Sequence, residues 1–192
     1  MTPPAGSKTV DELRQIAELA GKPFILKGIM TVNGAKKALE AGASGIVVSN
    51  HGGRVLDQCP ATAEVLPAIA DAVGGKMTIL VDGGIRSGMD VFKALALGAD
   101  AVVMMLVMGG ADYRSAQAMA RDIDAYHRLQ IPVIVEVLAD DYGSTQTFDV
   151  QANGARVAAE LGADVVKGFY TEKFDRVVSG CPVPFLLAGG PR

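Results

Sequence analysis

Tryptophan is absent from the 192 residues, and cysteine occurs only twice, at Cys59 and Cys181. The two thiols lie far apart without metal-ligand spacing, so no metal site is expected and both are read as reduced thiols of a cytoplasmic protein. Lacking tryptophan, the chain is without the usual large stacking residue. There is no excess of positive charge either: the formal net charge is −3, which argues against a nucleic-acid or anionic-membrane partner. Long apolar runs are missing too. The stretch Ala101–Met108 is far shorter than the ~20 residues that cross a bilayer. The start, MTPPAGSK, has no apolar core of the kind found in a signal peptide. What remains is a chain long enough for one sizeable core and too short for two ordinary domains, so a single domain is expected over 1–192.

What the chain does contain is a recurring phrase. Short apolar runs, rich in β-branched residues, stand at Phe24–Leu26, Gly45–Val48, Met77–Val81, Ala101–Met105, Val133–Val137, Asp164–Val166 and Pro184–Ala188. Such runs mark strands buried on both faces. Between them, apolar residues spaced by three and four predict helices over Val32–Ala41, Ala61–Val73, Gly88–Leu97, Tyr113–Arg128 and Asn153–Leu161, with a first helix over Thr9–Ala20. Three junctions repeat: ALEAGASGIVV, ALALGADAVVM and AAELGADVVKG. In each, a glycine closes the helix and a short polar residue leads into the next strand. Tight αβ turns and longer, glycine-rich βα loops predict a TIM-like (β/α)8 barrel. A doubly wound open sheet is the alternative. Only seven strands are readable, so the barrel is either open or completed by a partner chain, which favours a homo-oligomer.

In such a barrel the chemistry sits at the C-terminal ends of the strands. Those positions carry Lys27-Gly28, the run Ser49 to Arg54, the run Asp82 to Gly88, Glu136, Lys167, and Gly189-Gly190-Pro191-Arg192. His51, between a strand and two glycines, can serve as a base near neutrality, and Arg54 can clamp a carboxylate. The DGGIRSG loop pairs exposed main-chain N–H groups with Arg86, a combination that can cradle a phosphate. Lys27 and Lys167 end apolar strands, where an ammonium must meet an anion or lose its proton and become nucleophilic.

The stretches PFILKGI, GIVVSNHGGRVLDQCPAT and LVDGGIRSGMDVFKALALGADAV give about residues 9 to 103 a specific resemblance to the C-terminal half of the FMN-dependent α-hydroxy acid oxidases and dehydrogenases. That resemblance implies FMN as cofactor, with Lys27, Ser49, Asp82, Gly83, Gly84 and Arg86 around it. His51 would be the base and Arg54 the carboxylate anchor. From about residue 98 to 192 the chain instead resembles the archaeal-type class I aldolases, through ADAVVMMLVMGG, IPVIVEV and ELGADVVKGFYTEKFDRVVSGCPVPFLLAGGPR. This implies a Schiff-base Lys167, with Gly189 and Gly190 in a phosphate loop and Glu136 or Tyr142 as acid/base partner. Together the two resemblances suggest a recombined barrel joined near GADAV. Three functions stay open: a flavin-linked hydroxy-acid oxidoreductase, a Schiff-base lyase, and a scaffold without turnover that binds a flavin or small phosphate ligand.

Overall fold

The computed structural model describes residues 8–109 and 113–189. It divides into two compact units, Met1–Val102 and Val103–Arg192.

In the first unit, helices and strands alternate as the apolar periodicity requires. They are α1 (Val10–Ala20), β1 (Ile25–Ile29), α2 (Val32–Glu40), β2 (Gly45–Val48), α3 (Thr62–Val73), β3 (Thr78–Val81) and α4 (Gly88–Ala96). Local chemistry fixes the helix starts. Thr9 and Glu12 form a reciprocal capping box at α1, while the Thr31 and Ser87 hydroxyls accept first-turn N–H groups at α2 and α4. The strands pair in parallel and in chain order, β1 with β2 and β2 with β3. β4 (Ala101–Met108) begins on β3 through Leu80↔Ala101 and Val81↔Val102.

The second unit takes the remainder of β4, then α5 (Tyr113–Arg128), β5 (Val133–Ala139), α6 (Phe148–Glu160), β6 (Val165–Phe169), α7 (Phe174–Gly180) and β7 (Phe185–Ala188). β5, β6 and β7 again pair in parallel. Strand order follows chain order from β1 to β7, the topology of a (β/α) barrel rather than of a doubly wound sheet, whose order reverses. Seven strands are present among the described residues. Central strands such as β2 are fully buried, whereas β1 and β7, last in the order, are only half-buried.

The repeated phrase behaves as its chemistry demands. Gly42, Gly98 and Gly162 all adopt left-handed φ, from 81° to 104°. After Gly98 and Gly162, the acidic residue that ends the turn works as a staple. Asp100 Oδ2 accepts the Ile79 N–H at 2.7 Å, and Asp164 Oδ2 accepts the Val133 N–H at 2.7 Å. Each carboxylate thus ties a turn to the beginning of the neighbouring strand. His127, in the last turn of α5, meets this staple: its Nε2 lies 3.0 Å from Asp164 Oδ2. Helix α7 was not anticipated. It is one short helix entered through Lys173 in left-handed conformation, too brief to display a clear period. No helix among the described residues is long and apolar enough to cross a membrane.

Candidate active site

In the first unit, the C-terminal ends of β1, β2 and β3 bring three predicted residues into contact. Lys27 lies within β1, which continues past the end expected at Leu26 as far as Ile29, while Ser49 follows β2 and Asp82 follows β3. The Lys27 ammonium donates to Ser49 Oγ at 2.7 Å and forms an ion pair with Asp82. Ser49 is buried, but the side chains of Lys27 and Asp82 keep 28% and 17% of their surface exposed. The cation is therefore neutralised and still reachable, an arrangement that can exchange its partner for an incoming anion.

The loop after β2 is wound tightly. The His51 N–H donates to Ser49 Oγ at 3.2 Å, and the Gly52 N–H donates to Asn50 Oδ1 at 2.9 Å. Arg54 Nε donates to the His51 carbonyl at 3.1 Å, which leaves its two terminal guanidinium nitrogens for a ligand. His51 itself sits at φ 55°, a left-handed conformation that is costly for a residue with a side chain. Asn50 is the residue that the sequence reading passed over. Its amide holds the turn and donates to the Pro60 carbonyl at 3.2 Å, fastening the beginning and end of the loop. An Asn directly before His-Gly-Gly is an Asx-turn signal, and it was there to be read.

After β3, Gly83 and Gly84 both take left-handed φ, 81° and 82°, and open space lies where a Gly84 side chain would project. The main chain is thus accessible at this point. Arg86 is exposed, and its N–H donates to Asp90 Oδ2 at 3.2 Å. The Ser87 hydroxyl donates to the same oxygen at 2.9 Å. These bonds, the Ser87 one foremost, hold the Asp90 carboxyl below its ordinary value. The two loops line a cavity of about 340 Å³ through Asn50, Gly52, Gly83 and Gly84, closed by Leu66 of α3 and Ala94 of α4; the predicted phosphate-binding glycines border it, and the predicted catalytic residues do not.

Lys167 belongs to the second unit. It lies opposite Glu136 in the β5–β6 register, and its Nζ stands 2.7 Å from Glu136 Oε1. The two side chains are only 9% and 12% exposed. Beside them Gln151, fully buried, accepts the Phe169 N–H and donates to the Thr145 carbonyl, which fixes the end of β6. Gly189 follows β7 and is exposed, whereas Gly190, Pro191 and Arg192 lie outside the described residues, as does the side chain of Tyr142.

Comparison with known proteins places this geometry in context. Residues 4–122 match the profile of the FMN-dependent dehydrogenases. The L-lactate dehydrogenase of Chromohalobacter salexigens is 40% identical over 169 residues, covering 88% of this chain and 39% of that protein. The peroxisomal (S)-2-hydroxyacid oxidase of Arabidopsis thaliana is 55% identical over 97 residues, 50% of this chain and 26% of the oxidase. Among solved structures, lactate oxidase of Pediococcus acidilactici matches at 49% identity and a TM-score of 0.50, over 51% of this chain and 27% of that one. The chain therefore spans between about a quarter and two fifths of the length of these relatives.

Proposed function

The chain belongs to the FMN-dependent dehydrogenase family, whose cofactor is FMN, and from that premise we propose that its first unit carries the flavin- and substrate-facing half of a 2-hydroxy-acid oxidoreductase site. The observation that carries this reading is the Lys27–Ser49–Asp82 cluster at adjoining strand ends. The residues suit the cofactor: a reachable cation, a buried hydroxyl, a carboxylate able to accept from ribityl hydroxyls, and an open glycine main chain beside Arg86 for a phosphate. Lys27 would face the pyrimidine edge, Asp82 the ribityl chain, and Gly83, Gly84 and Arg86 the phosphate. Bound FMN supplies the two-electron acceptor. His51 would take the proton of the substrate hydroxyl, and the free guanidinium nitrogens of Arg54 would hold its carboxylate bidentately.

Titration with FMN, followed by flavin fluorescence and visible absorbance, tests the reading. Micromolar binding that weakens about tenfold in Arg86→Ala, the loss of one charge-assisted contact, is the expected result. Absence of binding overturns it. With flavin bound, His51→Ala should abolish hydroxy-acid oxidation and spare FMN affinity.

A second reading rests on the buried Lys167–Glu136 pair. Glu136 is placed to take the ammonium proton, after which the amine could add to a carbonyl and expel water, as a Schiff-base lyase requires. Borohydride trapping of a carbonyl substrate, lost in Lys167→Ala, tests it. We further suggest a recombined chain joined near Gly98–Val102, a reading supported by the division of the two units at Val102. Against it stands the family match continuing to residue 122. If neither flavin binding nor trapping appears, a scaffold without turnover remains. The half-buried strands β1 and β7 favour association with a further chain, and a cytoplasmic location accords with the free thiols Cys59 and Cys181.

A further inference from the structure

Strand β1 carries an irregularity next to its lysine. Lys27 pairs with Val47 and Ile29 with Val48, so Gly28 is one residue too many against β2. It is a bulge, and Gly28 adopts φ 91°, open to glycine and strained for other residues. Bulges beside active sites re-aim side chains. Here the bulge also makes room. A Cβ built on Gly28 would stand 2.9 Å from His51 Cε1, with Nδ1 at 3.7 Å and Nε2 at 3.8 Å. The nearly equal distances to the two nitrogens mean that the Cε1 corner of the imidazole points at the Gly28 main chain, with both nitrogens flanking it.

The ring cannot easily retreat by moving its own backbone. The His51 N–H is held by Ser49 Oγ at 3.2 Å, and its carbonyl accepts from Arg54 Nε at 3.1 Å. Asn50 closes the turn around it through Gly52. The loop therefore presents the imidazole toward β1, and the missing side chain at Gly28 leaves the room that it occupies.

We propose that Gly28 is a positioning residue for His51: the bulge and the absent Cβ form the seat on which the imidazole rests. The inference deepens the assignment of His51 as base and rests on it for its functional meaning, but the seat itself exists without flavin or substrate. A methyl group there must displace the ring from its nitrogens' present directions, whichever tautomer is populated.

A double-mutant cycle on the whole chain separates this effect from simple backbone strain. Gly28→Ala carries the cost of positive φ with or without the ring, so that cost cancels between wild type and His51→Ala. The clash exists only when the ring is present. The Tm loss caused by Gly28→Ala should be about 4 °C smaller in the His51→Ala background, the shift expected from relieving an overpacked contact in a chain of this size. In Gly28→Ala alone, the His51 Hε1 resonance and its titration midpoint, distinguished from those of His127 by a His127→Gln spectrum, should move. Either signal supports the seat. Equal Tm losses in both backgrounds together with unmoved His51 resonances overturn it. Should Gly28→Ala fail to fold, the wild-type protein decides: a nuclear Overhauser contact between Gly28 Hα and His51 Hε1 is expected, and its absence overturns the proposal. None of these readouts involves FMN, so failure of the flavin reading would leave this result standing, and the reverse.

Discussion

The two units each place a lysine within an apolar strand and give it a carboxylate from elsewhere in the sheet, yet they treat the pair oppositely. Lys27 and Asp82 keep a substantial part of their side chains in solvent, and a buried hydroxyl shares the cation. Lys167 and Glu136 are nearly sealed. An ion pair open to solvent is cheap to break and can be re-partnered by a ligand. A sealed pair resists, because separating it strands a charge in a medium that solvates it poorly. A lysine–carboxylate pair is therefore open to exchange in one unit and closed to it in the other.

The sharpest way to break this contrast is to remove the sealed carboxylate. Glu136→Ala should cost about 3–5 kcal/mol of unfolding free energy, as measured by urea denaturation, because a nearly sealed ammonium loses the carboxylate that balances its charge. A cost below about 1 kcal/mol would mean that the second pair is as solvated as the first. Lys27→Met should cost far less stability, about 1 kcal/mol, because Asp82 retains contact with water, while FMN affinity falls by tenfold or more. If stability and affinity change the other way round, the roles assigned to the two lysines are exchanged.

The smallest effect belongs to the loop that follows β3. Ser87→Ala should lower stability by about 1 kcal/mol through loss of the α4 cap. It also removes the principal bond that lowers the Asp90 pKa. A carboxyl lowered in the folded state stabilises the protein above its unfolded pKa, and that contribution disappears as pH falls through the folded value. Denaturation midpoints in the wild type should therefore decline below about pH 4, and the Ser87→Ala protein should show less of this acid-side decline. Identical slopes would show that the Ser87 bond is not what lowers the carboxyl.

Much of this architecture was legible in the residues. The run Gly45–Val48 and the helix Tyr113–Arg128 appear where the apolar pattern put them, since strongly buried strands and long amphipathic helices leave little ambiguity. Boundaries drifted where the register of a neighbour decided them. β6 continues through Lys167 to Phe169 because Glu136 and the buried Gln151 satisfy its polar groups, and neither partner is adjacent in sequence. Of the site, the residue types and strand-end positions could be read, but not who pairs with whom. That Lys27 meets Asp82, or that Gly28 bulges beneath His51, depends on the offset between strands, a quantity that no local pattern encodes.

The glycine–alanine–acid turn has a consequence for how the strand–helix units join. Because Asp100 and Asp164 close their turns by the same hydrogen bond onto the preceding strand, every staple ends one strand–helix unit in the same stereochemical state. The segment from one staple to the other carries two strand–helix units, β4–α5 and β5–α6, and it begins and ends at equivalent hydrogen bonds, so both of its ends present the same joint to the strand before them.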